Sequence, residues 1–303
     1  MRIGFVGLGT MGGAAALNLI RGGHQLTVCD LDRERAIEHL KLGATWADTP
    51  SDAANGADIV FTMVFGPKQI EQIVHGPNGL LSALGPGQTW IDMTTNQPEL
   101  VRNLAKDIAN TGAQAIDAPV TGAVDGARNG NMTQFAGGDE ATVERLRPVM
   151  ELMGPVHYMG PSGSGSITKL ASNQLWAIHA IAMGEALVMA VKSGVELPRA
   201  WDALKIGASE SWCMHHDAPS VFAGHYDPSF SLDLCRKDLK LIVGACDTAG
   251  TSAPVTRLTY EQFEKAREKY GGDKGELHVV KLEEEAAGVS LQMSGDWVPH
   301  WEK

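Results

Sequence analysis

Six residues near the start, Gly7-Leu8-Gly9-Thr10-Met11-Gly12, space their glycines as G-x-G-x-x-G directly after the apolar run Ile3 to Val6, and they open a helical pattern over Gly13 to Arg21. The first glycine permits a tight turn, the second lets backbone approach a pyrophosphate, and the third lets helix pack close on strand. The helix N-terminus then faces the phosphate charge. The glycine spacing alone is common; its strand-turn-helix setting points to a dinucleotide. Asp30 lies 18 positions after Gly12, at the tip of the run Leu26 to Cys29. A carboxylate there accepts from both ribose hydroxyls and repels a 2′-phosphate, so NAD is expected over NADP. Arg33 and Arg35 leave NADP as the lesser candidate, and a helix N-cap is the plainer use for Asp30.

A second constellation lies in Gly160-Pro161-Ser162-Gly163-Ser164-Gly165-Ser166-Ile167-Thr168-Lys169-Leu170-Ala171-Ser172-Asn173. A glycine-rich turn opens a helix, and Lys169 and Asn173, four apart, share one face of it. An exposed lysine usually just solvates a helix. This one falls at the N-terminal end, among small and apolar residues, where a cation opposes the helix dipole, and that electrostatic cost points to a functional purpose. A third segment, Asp117 through Thr121-Gly122-Ala123 to Thr133, follows a predicted strand. Its small residues expose backbone N–H groups that can hold a carboxylate, although an ordinary glycine loop has the same composition.

These residues need a scaffold. From Arg2 to about Met159, runs rich in β-branched residues (Ile3 to Val6, Leu26 to Cys29, Ile59 to Met63, Thr89 to Asp92, Ala113 to Asp117) alternate with helical patterns. Runs apolar on both faces predict a doubly wound parallel sheet covered by helices, a Rossmann-type α/β domain over residues 1–162. After the turn at residues 160–165 the strand signals stop. A proline-free helical pattern runs from about Ser166 to Ser193, apolar on nearly all faces, as for a helix buried between domains or subunits. Further helices, punctuated at Pro198, Pro219, Pro228 and Pro254, end near Ala287. The expectation for residues 163–303 is an all-helical domain for substrate binding and oligomerisation, with an aromatic tail, Trp297 to Trp301, of no assigned place.

Taken together, the blocks Gly7 to Gly12, Asp92-Met93-Thr94-Thr95, Asp117 to Thr133, Gly160 to Asn173 and Lys237-Asp238-Leu239 occur in one order, and in them the chain resembles the β-hydroxyacid dehydrogenases, especially their 3-hydroxyisobutyrate branch, over residues 1 to about 287. The resemblance implies that Lys169 is catalytic and that Asn173 binds and orients substrate. It aligns Thr121-Gly122-Ala123 with a Ser-Gly-Gly that grips the substrate carboxylate; threonine keeps the hydroxyl, whereas Ala123 narrows the loop. Cofactor contacts fall on Thr95, Lys237 and the Met63-Val64-Phe65 turn, where leucine and proline are more usual, and Gln69 stands in place of an asparagine. Otherwise Lys237 reads as a solvated helix lysine paired with Asp233 or Asp238. The implied activity is NAD-dependent interconversion of a small 3-hydroxy acid and its semialdehyde, with Lys169 accepting the hydroxyl proton in oxidation and donating it in reduction. Tartronate or succinic semialdehyde reduction is the nearest alternative. A non-catalytic NAD-binding regulator is the alternative of another class, and Lys169 with Asn173 weighs against it.

Composition narrows the rest. A formal charge of -11 without a basic tract disfavours nucleic acid. Cys29, Cys213, Cys235 and Cys246 have neither C-x-x-C spacing nor disulfide density and read as reduced thiols of a cytoplasmic protein. His157, His179 and His215-His216 lack metal-site spacing, so no metal is expected. Glu185 interrupts the apolar stretch Ile178 to Val191, so no membrane span is expected. Ser209, Ser211 and Trp212 are specificity candidates, although tryptophan at helical spacing is more often core. Glu283-Glu284-Glu285 reads as a solvated helix face. The long apolar helix implies a homodimer or homotetramer.

Overall fold

The computed structural model describes residues 1–295 and 297–299 of the chain. Among them, nine strands form one sheet: β1 (Arg2–Val6), β2 (Gln25–Cys29), β3 (Thr45–Trp46), β4 (Ile59–Thr62), β5 (Thr89–Asp92), β6 (Gln114–Asp117), β7 (Val120–Thr121), β8 (Thr133–Gly138) and β9 (Val156–Gly160). β3, β2, β1, β4, β5 and β6 lie side by side in that order, all parallel. β6 and β7 both pair antiparallel with β8, which in turn takes β9 as a parallel neighbour. The Rossmann-type parallel sheet is therefore present, with a mixed extension that the sequence pattern does not announce.

Successive side chains along a strand point to opposite faces, and here both faces are buried. Ile3 and Phe5 of β1, Ile59 and Phe61 of β4 and Ile91 of β5 join one apolar core, while Val6, Val60 and Trp90 join another with Leu104 and Ile108. The rings of Phe5 and Phe61 stack with centroids 5.9 Å apart. Each such side chain, fully buried, stabilises the fold by about 1.5–3 kcal/mol, which is why these runs read as continuously apolar. β8 was hidden because it ends in Gly137-Gly138. A Cβ on Gly137 would stand 2.6 Å from Asp117 Oδ1, so no side chain fits there to signal a strand.

Helix α1 (Thr10–Arg21) starts inside the glycine motif, three residues earlier than the sequence pattern predicts. A short helix, α2 (Ala123–Arg128), follows β7, and α3 (Ser164–Lys192) is the long helix. Its 29 residues span about 44 Å at 1.5 Å per residue. The chain divides into two compact units, Met1–Lys169 and a second from Leu170 onward, with the division inside α3.

The second unit is built from helices, among them α4 (Leu232–Thr248), α5 (Pro254–Tyr270) and α6 (His278–Ala287). Ala177, Ala180, Met183, Leu187 and Val188 of α3 enter its core with Phe222, Leu239, Phe263 and Val280. Leu175 and Met189, 58% and 67% exposed, stay outside it, so burial on nearly all faces is not realised within this chain. By length and composition α3 could also cross a bilayer, Glu185 notwithstanding, a criterion that core helices of globular proteins meet as well. Glu284 corrects another expectation: it is buried, accepting from the Tyr226 hydroxyl at 2.8 Å and the Leu291 amide at 2.7 Å. Trp297 packs its ring 5.9 Å from that of Trp201 and 5.7 Å from that of Phe222, and Trp301 lies outside the described residues.

Candidate active site

The neighbours of β1 are β2 on one side and β4 on the other, so the strand order reverses beside it and the loop after Val6 opens at a topological switch point. Each glycine of that loop has its own constraint. Gly7 has φ +99°, and a Cβ there would stand 2.2 Å from Met63 O; at Gly12 it would stand 2.1 Å from Gly7 O. At Gly9 it would meet only the Arg35 guanidinium, at 3.6 Å. The protein itself thus requires Gly7 and Gly12, whereas the space at Gly9 is left for a ligand. Gly9 is the N-cap of α1, provides no side-chain cap, and is followed by a first turn without acidic residues. The amides of Thr10, Met11 and Gly12 have no intrahelical acceptor and suit a pyrophosphate. The loop fits a dinucleotide.

Asp30 is tied to this loop. Its Oδ2 accepts from the Leu8 amide at 2.6 Å and its Oδ1 from the Asp32 amide at 3.0 Å, leaving further lone pairs on a partly exposed carboxylate. The N-cap role falls to Asp32 instead, which accepts from the Glu34 amide. Arg33 lies over the Trp46 ring and Arg35 pairs with Asp32 at 3.7 Å.

A buried carboxylate also organises the ends of β4 and β5. Asp92 accepts from Thr62 Oγ1 at 2.8 Å, the Thr94 amide at 3.1 Å and Asn96 Nδ2 at 2.7 Å, and Thr94 Oγ1 accepts from the Val64 amide at 3.1 Å. Val64, expected at the cofactor, and Thr94, which precedes the expected Thr95, are therefore held by one network that the sequence did not reveal. Burial pushes the Asp92 carboxyl up to about 6, against the pull of its hydrogen bonds. A folded-state value raised above the unfolded one gives stability that is complete below pH 3.8 and is lost as pH rises through about 6. Compared with Asp92→Asn across that window, the wild type should lose up to roughly 1.4 kcal/mol per pH unit, with a constant difference above it. Urea unfolding of both proteins at a series of pH values checks this; a pH-independent difference would exclude it.

β6 ends in Asp117, and the substrate-loop candidates follow at once. Thr121 closes β7, Gly122 has φ +125° and Ala123, with φ +55°, opens α2. A left-handed conformation at an alanine costs roughly 1–2 kcal/mol. The strain stands at the position where the resemblance places glycine. Across β6, Asp117 Oδ1 accepts from the Gly163 amide at 2.8 Å, and Oδ2 from the Ser166 amide at 2.8 Å and hydroxyl at 3.0 Å. Burial raises the Asp117 carboxyl above the usual range while these donors pull it back. One turn beyond Ser166, Lys169 is 8% exposed, so it is no solvated helix lysine.

In the second unit, Asn173 Nδ2 donates to Asp238 Oδ2 at 2.8 Å, and Lys237 Nζ forms an ion pair with Asp238 Oδ1 at 2.8 Å. Lys237 does pair with Asp238, but its side chain is only 18% exposed. Asp238, read from the sequence as part of the Lys237 block and as a possible partner of that lysine, proves to hold Asn173 as well. Trp212 is not core: it is half-exposed and stacks on His216 with centroids 4.3 Å apart. Ser209 Oγ donates to Leu204 O, and Ser211 Oγ accepts from the Met214 amide.

Comparison with known proteins places this geometry. Residues 2–160 match the model of the NAD-binding domain of 6-phosphogluconate dehydrogenase, and residues 163–282 match that described as the NAD-binding domain of NADP-dependent 3-hydroxyisobutyrate dehydrogenase. A probable 3-hydroxyisobutyrate dehydrogenase-like mitochondrial protein of Arabidopsis thaliana is 34% identical, covering 97% of this chain and 88% of its own length. The 2-hydroxy-3-oxopropionate reductase of Escherichia coli is 34% identical over 87% of this chain and 90% of its own. The solved structure of Mycobacterium tuberculosis 3-hydroxyisobutyrate dehydrogenase with L-serine has a TM-score of 0.85 at 28% identity, covering 93% of this chain and 98% of its own.

Proposed function

Since this chain belongs to the β-hydroxyacid dehydrogenase family, we propose that it interconverts a 3-hydroxy acid of the size of 3-hydroxyisobutyrate and the matching semialdehyde, with NAD as the preferred cofactor. The family membership makes the chain an NAD(P)-dependent oxidoreductase acting on a CH–OH group of a small hydroxy acid. The observation that carries the finer reading is the buried Lys169, placed by the Asp117 contacts at the start of α3 and followed one turn later by Asn173. NAD, when bound, supplies the hydride acceptor in oxidation and, as NADH, the donor in reduction. Gly7 to Gly12 would cradle the pyrophosphate, Asp30 would take the ribose hydroxyls, and Met63, Val64 and Thr95 would border the remainder, with Lys237 assigned to the cofactor by the family resemblance alone. Thr121 Oγ1 and the amides after Gly122 hold the substrate carboxylate. Lys169 takes the hydroxyl proton in oxidation and returns it in reduction, and Asn173 orients the same oxygen.

The 34% identity to the Escherichia coli 2-hydroxy-3-oxopropionate reductase favours a second reading within the same chemistry, reduction of tartronate semialdehyde, which bears a hydroxyl at C2 where the 3-hydroxyisobutyrate semialdehyde bears a methyl. A panel of 3-hydroxyisobutyrate, 3-hydroxypropionate, 4-hydroxybutyrate and glycerate, each with NAD⁺ and NADP⁺ and followed by the absorbance of the reduced cofactor, tests both. The expected outcome is turnover of the C3 and C4 3-hydroxy acids with NAD⁺ preferred; reduced cofactor from none of the four would end the proposal. Free cysteines and the exposed Leu175 and Met189 support a cytoplasmic homo-oligomer.

A further inference from the structure

We propose that Asp117 is a positioning residue for the reaction, its carboxylate locking the first turn of α3, and with it Lys169, to the end of β6 from which the substrate loop departs. This rests on reading Lys169 as the proton-transfer group. Helices are ordinarily capped by a neighbour in sequence. Here the acceptor for the Gly163 and Ser166 amides comes from 46 and 49 residues away. The Ser166 hydroxyl adds a third donor to the same carboxylate.

The surrounding glycines are cut to fit this contact. A Cβ on Gly165 would stand 2.0 Å from Phe135 O and 2.8 Å from Asp117 O, and one on Gly137 would stand 2.6 Å from Asp117 Oδ1. Gly165 and Gly137 are therefore required where strand and helix close on Asp117, while Gly163, whose amide donates to it, faces Arg102 and Pro98 on its other side. Asp117 is 2% exposed. Burying a carboxylate is expensive, and a neutral packed residue would join strand to helix at lower cost. What an anion gives in return is direction, because only a double acceptor can hold both amides and the hydroxyl at once. Lys169 lies three residues after Ser166 and Thr121 four after Asp117, so a single group sets the amine and the carboxylate grip in one frame. Displacing a catalytic group by about 1 Å costs about 10²-fold in rate.

Asp117→Asn, Lys169→Ala and the double variant, assayed with the fastest hydroxy acid of the panel and by NADH fluorescence titration, test this. Asp117→Asn should lower kcat about 10- to 100-fold, with the KM for substrate and the Kd for NADH within about twofold of wild type. In the Lys169→Ala background the same substitution should change the residual rate by less than about twofold, because it acts through the missing amine. An equal loss in both backgrounds, or an unchanged kcat in Asp117→Asn, overturns the positioning role while leaving Lys169 in place. Near-wild-type turnover by Lys169→Ala overturns both. If Asp117→Asn does not fold, Ser166→Ala removes a single donor and should lower kcat about three- to tenfold with the same cancellation; a loss that persists without Lys169 counts against the proposal.

Discussion

Lys169→Ala should lower turnover at least about 10²-fold in both directions while the Kd for NADH stays within about twofold of wild type. The loss is large because truncation leaves this segment without an amine to exchange the proton with the substrate oxygen. Lys169→Arg should be nearly as inactive: the charge survives, but a guanidinium has no neutral form near pH 7 to accept the alcohol proton. Small primary amines added to Lys169→Ala should restore part of the rate. Steady-state kinetics with and without ethylamine, beside NADH titration, would measure this. Turnover within a few-fold of wild type in Lys169→Ala would show that water or another residue carries the proton.

The second large effect separates two glycines of one motif. Gly12→Ala forces a methyl against Gly7 O at 2.1 Å, a clash with backbone that only movement of α1 or β1 can relieve. It should destabilise the fold by about 2–3 kcal/mol, as overpacking does, and weaken NADH binding as a consequence. Gly9→Ala places its methyl 3.6 Å from a flexible arginine end and should melt within a few degrees of wild type. Yet it should weaken NADH at least about tenfold, because the methyl fills the space through which a pyrophosphate reaches the amides of α1. Calorimetry and fluorescence titration on both variants discriminate. Equal melting with equal loss of affinity would mean that the two glycines do not divide packing from binding.

The sequence discloses what is local or periodic. Five strands are legible because burial makes each a short, mostly apolar run rich in β-branched residues between helical patterns, and the glycine motif because strand, turn and helix are contiguous. β8 and β9 are obscured because Gly137, Gly138 and Gly160 carry no side chain to continue a pattern. What bridges distance is hidden too. Asp117 stands 46 residues from Gly163 and Asn173 stands 65 from Asp238, and neither pairing follows from spacing. Glu284 looked solvated because a run of three glutamates gives no hint that Tyr226 and Leu291 would close over the middle one. The chemistry-bearing types were thus visible before the groups that hold them.

The rims of the sheet bear on how the chain behaves at high concentration. β3 is two residues long, and β9, on the far side of β8, is paired through a register shift and is followed immediately by Pro161. Neither rim exposes a long flat row of amides and carbonyls on which a foreign strand could template. Edge-to-edge pairing between folded copies is disfavoured at the outset, and the native protein held at micromolar concentration should show no rise in light scattering with time.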